Sequence, residues 1–368
     1  MGTRSGSFVG RVFLVALSLV AAGLVSQADG AQAQSAPPGR GGPPAGTPTT
    51  RPALRSGQSA PAPAVRVAPP RRGGFWTGLA VAPTQRTEVG AAVLDGLIYT
   101  VGSYPGSPSG PAAVQANEAY NPATNTWQTR APLPAGLNHP CVAAAGGKLY
   151  AIGGFPDTDI TVPVSTTLEY NPTLNTWTPR AALPTPRGAP ACVVLNGRIH
   201  VIGGNGSTDS NAHEVYDPGL NTWSTAPALP TARNHVTAAA LAGRIHVIGG
   251  RINSPWDPNL AVHEAYDPSN GSWQTLAPMP TGRSAMGAAT LGSQIHVVGG
   301  EPKAGPVSTF AEHEVYDATG NVWTSMAPLP TARHGMGVVT YNDAIYVLLG
   351  GRVTGAFYSD VAEVFRFP

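Results

Sequence analysis

The sequence predicts an all-β fold: a six-bladed β-propeller whose last blade is closed by an N-terminal strand. Three observations carry this. Trp127, Trp177, Trp223, Trp273 and Trp323 recur at intervals of 46 to 50 residues. Paired glycines at Gly153-Gly154, Gly203-Gly204, Gly249-Gly250, Gly299-Gly300 and Gly350-Gly351 keep step with them, and Gly102-Ser103 serves as a degenerate first copy. A fixed period of this length marks an array of small units that stack to bury a shared core. Finally, Gly 45 and Pro 38 make up more than a fifth of the 368 residues while charged residues are 11%, a composition of many turns and little charged helix surface.

Each copy divides into four short strands. A first apolar run, Gly90 to Leu94 in copy one and Ala238 to Leu241 in copy four, leads to a hairpin turn such as Asp95-Gly96 or Asn196-Gly197, residues that tolerate positive φ. A second strand, Ile245-His246-Val247-Ile248 in copy four, runs into the glycine pair. After a variable loop a third strand ends in Tyr120-Asn121-Pro122, Tyr216-Asp217-Pro218 or Tyr266-Asp267-Pro268, and the fourth begins at the Trp.

This order of double glycine, Tyr and Trp resembles the kelch repeat, and the resemblance covers residues 75 to 368. Membership of that family implies a propeller of blades packed radially around a channel. The ends of the chain agree with closure. The last copy stops at Phe365-Arg366-Phe367-Pro368, before any Trp strand. Trp76 lies seven residues before Pro83, the offset from Trp127 to Pro134 and from Trp323 to Pro330. Residues 75 to 83 are therefore expected to supply the missing outer strand and remove an exposed edge.

Residues 1–33 read as a secretory signal: Arg4 and Arg11, the apolar run Val12 to Val25, then small-residue sites at Ala31-Gln32-Ala33. Residues 34–74 form a Pro/Gly/Arg-rich linker with almost nothing to bury, so the entropy of ordering them is not offset. The expected location is secreted or in the periplasm or cell envelope, with no stable membrane span once the signal is removed. Residues 1–72 hold eight Arg and one acid, which leaves 14 basic and 19 acidic residues beyond. A mildly acidic domain with two Lys lacks the basic face of a nucleic-acid binder.

Arg86, Arg187, Arg233, Arg283 and Arg333 recur just before the innermost strands. Such a ring suits carboxylate ligands, since a guanidinium holds two oxygens at once. Glu118, Glu214, Glu264, Glu314 and Glu363 recur in the third strands of the same copies, and copy two has Leu137 and Leu168 at the two positions. Joint loss points instead to an Arg–Glu pair within each blade. His200, His246 and His296 replace Tyr99, Tyr150 and Tyr346 of the other copies, while His213, His263 and His313 precede the third-strand Glu; packing is expected of them, with no metal and no cofactor. Cys141 and Cys192, on inner strands of adjacent blades, either form a disulfide or stay buried and free.

Loops after the glycine pairs share a face with the Arg-bearing loops and hold Tyr104, Phe155, Arg251, Trp256, Arg352 and Tyr358. Binding residues gather on such loops over a rigid scaffold. Trp256, off the repeat pattern, either grips a ligand or folds onto its own loop. No nucleophile motif, phosphate-binding loop or dinucleotide fingerprint is present. The expectation is a binding module presenting this face to a glycan or polypeptide. The alternative is a sugar epimerase or mutarotase, which the family offers in a form resembling the N-acetylneuraminate (sialic-acid) epimerase of bacterial periplasms. A copper radical oxidase resembling galactose oxidase fits poorly, because both Cys lie in inner strands.

Overall fold

A computed structural model describes residues 73–104, 106–110, 114–156, 162–253, 258–303, 308–355 and 357–368. The expected signal and nearly all of the expected linker lie outside them, as does Trp256. The described residues form six antiparallel four-stranded sheets. In blade one these strands are Gly90–Leu94, Leu97–Val101, Asn117–Asn121 and Thr126–Thr129. The hairpin turns expected at Asp95-Gly96 and Asn196-Gly197 have φ of 50° and 77°, and of 52° and 74°, the mirror-image geometry that matches strand twist.

Blade six is made of Gly337–Tyr341, Ala344–Leu348, Ala362–Arg366 and, as its outer strand, Phe75–Gly78. Trp76 pairs with Phe365 and Gly78 with Glu363, so the two ends of the propeller share one sheet. Innermost strands touch their counterparts in both neighbouring blades, and Gly337–Tyr341 against Gly90–Leu94 completes the circle. Among the described residues six apolar clusters fill the six blade interfaces. Each cluster draws on two adjacent blades, so no blade buries its faces alone.

The Tyr and Trp marks have a specific task. Each Trp indole N–H donates to a carbonyl just past the outer strand of the preceding blade: Trp127 to Ala80 at 2.8 Å, Trp177 to Ala131, Trp223 to Ala181 and Trp323 to Ala277 at 2.9 Å. Trp76 donates to Ala327 at 2.9 Å and closes the circuit. Two residues before the Trp, Asn125, Asn175, Asn221 and Asn321 adopt φ near 50° and accept from the Tyr120, Tyr170, Tyr216 and Tyr316 hydroxyls.

The glycine pair is explained by close approach. At Gly249 (φ 63°) a Cβ would lie 2.8 Å from the Arg283 carbonyl oxygen, and at Gly250 (φ 97°) 2.7 Å from that of Asn234. Blade six departs from the expected register. Gly350 N–H donates to Arg86 O as Gly250 N–H donates to Arg283 O, so the structural pair is Leu349-Gly350, with Leu349 at φ 66°, and not Gly350-Gly351.

The five arginines are structural. Their side chains are 0% exposed and reach Glu118 at 2.6 Å, Glu264 at 2.6 Å and Glu363 at 2.5 Å, with Arg187–Glu214 and Arg283–Glu314 also paired. Each glutamate's other oxygen accepts from a threonine two residues before the arginine, Thr84, Thr185, Thr231, Thr281 or Thr331. Further donations go to backbone carbonyls such as Gly249 O, 2.9 Å from Arg233. Burial pulls Arg86, Arg187, Arg233 and Arg333 below the usual arginine value, with Arg352 adding to it at Arg333, and the glutamates oppose it. Ligand duty for Arg86, Arg187, Arg233, Arg283 and Arg333 is thereby corrected, because no guanidinium surface is left for a ligand.

The histidines recur together because they touch. Nδ1 of His200, His246 and His296 lies 2.8, 2.9 and 2.8 Å from Nε2 of His213, His263 and His313. The latter turn Nδ1 to the carbonyls of Pro227, Ala277 and Ala327. A carbonyl only accepts, so these Nδ1 atoms carry hydrogen and each Nε2 accepts from its partner. Burial holds all six below the usual imidazole value, to about 3 or 4. Cys141 and Cys192 form a disulfide between blades two and three, with Cα atoms 5.2 Å apart.

Candidate functional site at the channel mouth

Two rings of equivalent residues surround one end of the channel. The first comes two residues after each Arg or its Leu substitute: Glu88, His139, Ala189, His235, Ala285 and Gly335. All six have φ between 49° and 60°. His139 N–H donates to Glu88 O, Ala189 to His139, His235 to Ala189, Ala285 to His235 and Gly335 to Ala285, at 2.9 to 3.1 Å. Val89 N–H donating to Gly335 O at 3.2 Å closes the collar, which narrows the channel to a neck of about 100 Å³.

The second ring follows the glycine pair: Tyr104, Phe155, Asn205, Arg251, Glu301 and Gly351. Short antiparallel bridges hold it against the first, as in Asn234 with Arg251, Ser284 with Glu301 and His334 with Gly351. Together the rings line a cavity of about 240 Å³ above the neck. Below lies a channel space of about 130 Å³ walled by the innermost strands.

The cavity floor gathers charge. Arg251 donates to Glu301 Oε1 at 2.6 Å and to His235 Nε2 at 3.0 Å. His139 Nε2 is 3.2 Å from Glu88 Oε2. His334 Nε2 is 3.4 Å from Glu88 Oε1 and 3.5 Å from Glu301 Oε2. Three imidazoles have their tautomers fixed from behind. His334 Nδ1 faces Gly351 O at 3.1 Å, His139 Nδ1 faces Asn138 Oδ1 at 2.7 Å and His235 Nδ1 faces Asn234 Oδ1 at 2.5 Å. The Asn138 amide nitrogen donates to Pro156 O and that of Asn234 to Asn253 Oδ1 and Asp209, so each Oδ1 is the atom offered to its histidine. All three Nε2 lone pairs therefore point into the cluster.

Burial, then the nearby Glu301 charge, pushes Glu88 up to about 8, against the pull of Arg251. Burial takes His139 down to about 3 and His235 well below the imidazole range, with Arg251 adding to both. His334 is lowered by burial, with Glu301 opposing. At neutral pH Glu88 thus holds a proton between acceptor nitrogens. Such a group both gives and takes protons near pH 7.

A sequence model described as the Kelch motif matches residues 137–184, 186–230 and 232–280. The chain carries kelch repeats. Similar proteins include Kelch-like ECH-associated protein 1B of Danio rerio, 33% identical over 81 residues, 22% of this chain and 14% of that protein. Kelch-like protein terF of Aspergillus terreus is 38% identical over 77 residues, 21% of this chain and 17% of that one. Kelch-like protein 35 of Homo sapiens is 38% identical over 63 residues, 17% and 10%. The chain thus spans less than a fifth of these relatives. A solved structure titled "Structure of YjhT" superposes with a TM-score of 0.65 at 16% identity, covering 77% of this chain and 96% of that one; it supports the fold alone.

Within this kelch propeller the loop residues divide. Tyr104 and Arg251 line the cavity, and Tyr104 sets its ring edge to His139 at 5.9 Å. Tyr358 sits beside Tyr104, half-buried and raised by burial and by that neighbour. Arg352 is exposed and outside the cavity wall: the one-residue shift in blade six gives Gly351 the equivalent place. Glu88, His139, His235, Glu301 and His334 escaped the sequence reading. Their signal is positional, because within the kelch frame both ring positions change chemistry from blade to blade while the scaffold positions beside them repeat. Among the described residues no helix is long and apolar enough to cross a membrane.

Proposed function

We propose that this kelch propeller is an exported recognition module that takes a polar group of a glycan or polypeptide into the channel mouth. The observation that carries the reading is the convergence of Tyr104, Phe155, Arg251 and Glu301, from four blades, on one cavity of about 240 Å³. Apolar walls with a few fixed polar groups suit ligand binding. The kelch propeller is an interaction scaffold in general, and the mouth gives this one its chemical selectivity. Export is supported by the N-terminal sequence pattern and by the Cys141–Cys192 disulfide, which suits an oxidising compartment. The test is a paired glycan and peptide array on the full chain. A ligand bound by the protein and lost in Arg251→Ala is expected; blank arrays of both kinds would remove the reading.

A second reading rests on Glu88. A carboxyl pushed up to about 8 and flanked by the His139 and His334 acceptors suits a proton shuttle in a sugar mutarotase or epimerase. Accelerated sialic-acid anomerisation by NMR, abolished in Glu88→Gln, is its expected signature. An unchanged rate rejects it.

A further inference from the structure

The mouth cluster is built from acceptors. Backbone and amide oxygens behind His139 and His334 fix Nδ1–H there and leave Nε2 as a lone pair. Facing those nitrogens are the oxygens of Glu88 and Glu301. Arg251 serves Glu301 Oε1 and His235, and the Gly355 N–H reaches Glu301 Oε2 at 3.3 Å. Glu88 thus meets His139 through one oxygen and His334 through the other, and His334 also faces Glu301. A cation held there takes the place of the proton on Glu88.

We propose that Glu88, Glu301 and His334 hold one divalent first-row transition cation, with zinc as the reference case. Their ligand atoms all lie within 4.8 Å of one another. The separations of 3.4 and 3.5 Å from His334 Nε2 match the edge of a tetrahedron whose metal–ligand bonds are about 2.1 Å, which is about 3.4 Å. They are long for a direct hydrogen bond. A ligating histidine that donates its other N–H to a carbonyl is the usual outer-sphere support, and His334 does so to Gly351 O. Arg251 orients the second carboxylate from its far oxygen. Gly335 makes room, since a Cβ there would sit 2.7 Å from the Glu88 carboxyl. Imidazole with carboxylate suits zinc and its neighbours rather than calcium. Three protein ligands leave a position open towards the cavity, where a ligand's hydroxyl or carboxylate can bind.

The test uses the full chain without a histidine tag, stripped with chelator and titrated with zinc alone. One equivalent bound is expected, with affinity weakened about tenfold or more in His334→Ala and in Glu301→Gln and unchanged in His200→Ala. Binding well below one equivalent, or a site indifferent to both variants, overturns the proposal. Cobalt(II) added to the unmodified chain needs no variant: intense four- or five-coordinate visible bands are expected, and a hexa-aquo spectrum overturns it. Metal content is read with no other ligand present, so blank arrays leave this inference standing.

Discussion

Leu137 and Leu168 are buried in one apolar cluster between blades one and two, at the positions where the other five blades place a buried arginine and its glutamate. Ala135 stands where those blades have threonine, so the whole polar triad is exchanged as a unit. The repeat itself thereby performs a double substitution. Removing one member of a buried pair strands the other charge and costs about 3–5 kcal/mol, whereas replacing both by apolar residues is often near neutral. Arg283→Leu and Glu314→Leu are each expected to lose that much in urea unfolding, and the double variant much less. Additive losses would count against the pairing.

Among the described residues the N-terminal strand is the only partner of Ala362–Arg366 on its outer side, and Trp76 supplies one of the indole links. Deleting residues 73–83 exposes a sheet edge and opens the Phe365 cluster. Loss of soluble folding is expected. A chain starting at Thr84 with an unchanged melting temperature would contradict ring closure.

The disulfide spans 51 residues of sequence. Loop-closure entropy assigns such a bridge an upper value of about 4 kcal/mol. Cys141→Ser with Cys192→Ser should therefore lower unfolding stability by about 2–4 kcal/mol, read by denaturant titration. Mass spectrometry with and without reductant should differ by two hydrogens per chain.

The paired histidines make the propeller acid-sensitive. His213 is held at about 3 and His200 at about 4 when folded, against about 6.5 unfolded. The unfolded state then binds more protons below pH 6.5, so stability is full above that value and falls as the pH drops towards 3. Blade one holds Tyr99 and Asn117 at these places. His200→Tyr with His213→Asn should lessen the loss of stability at pH 4 relative to the parent, seen as a smaller melting-temperature drop between pH 7 and 4.

The scaffold was legible because each of its contacts is repeated. Trp, Tyr, Arg and Glu recur at one register, and joint loss at Leu137 and Leu168 exposed a contact between distant residues. The mouth was not legible for the opposite reason. Glu88, His139 and His235 stand at collar positions that Ala189, Ala285 and Gly335 fill in the other blades, Glu301 follows its glycine pair and His334 precedes the collar residue Gly335, so no repeated residue type marks them. Blade six hid a further shift: Leu349 adopts the conformation expected of glycine, which moves the loop frame by one residue and puts Gly351, not Arg352, at the ring position.

The proposed ligand site is the channel mouth and not the blades' outer surface. The direct measurement is array binding by the parent, by Arg251→Ala and by Arg198→Ala. Arg198 opens a second strand at the opposite end of blade three. Ligand retained by the parent and by Arg198→Ala but lost in Arg251→Ala is the predicted result. Equal retention by all three would contradict the account.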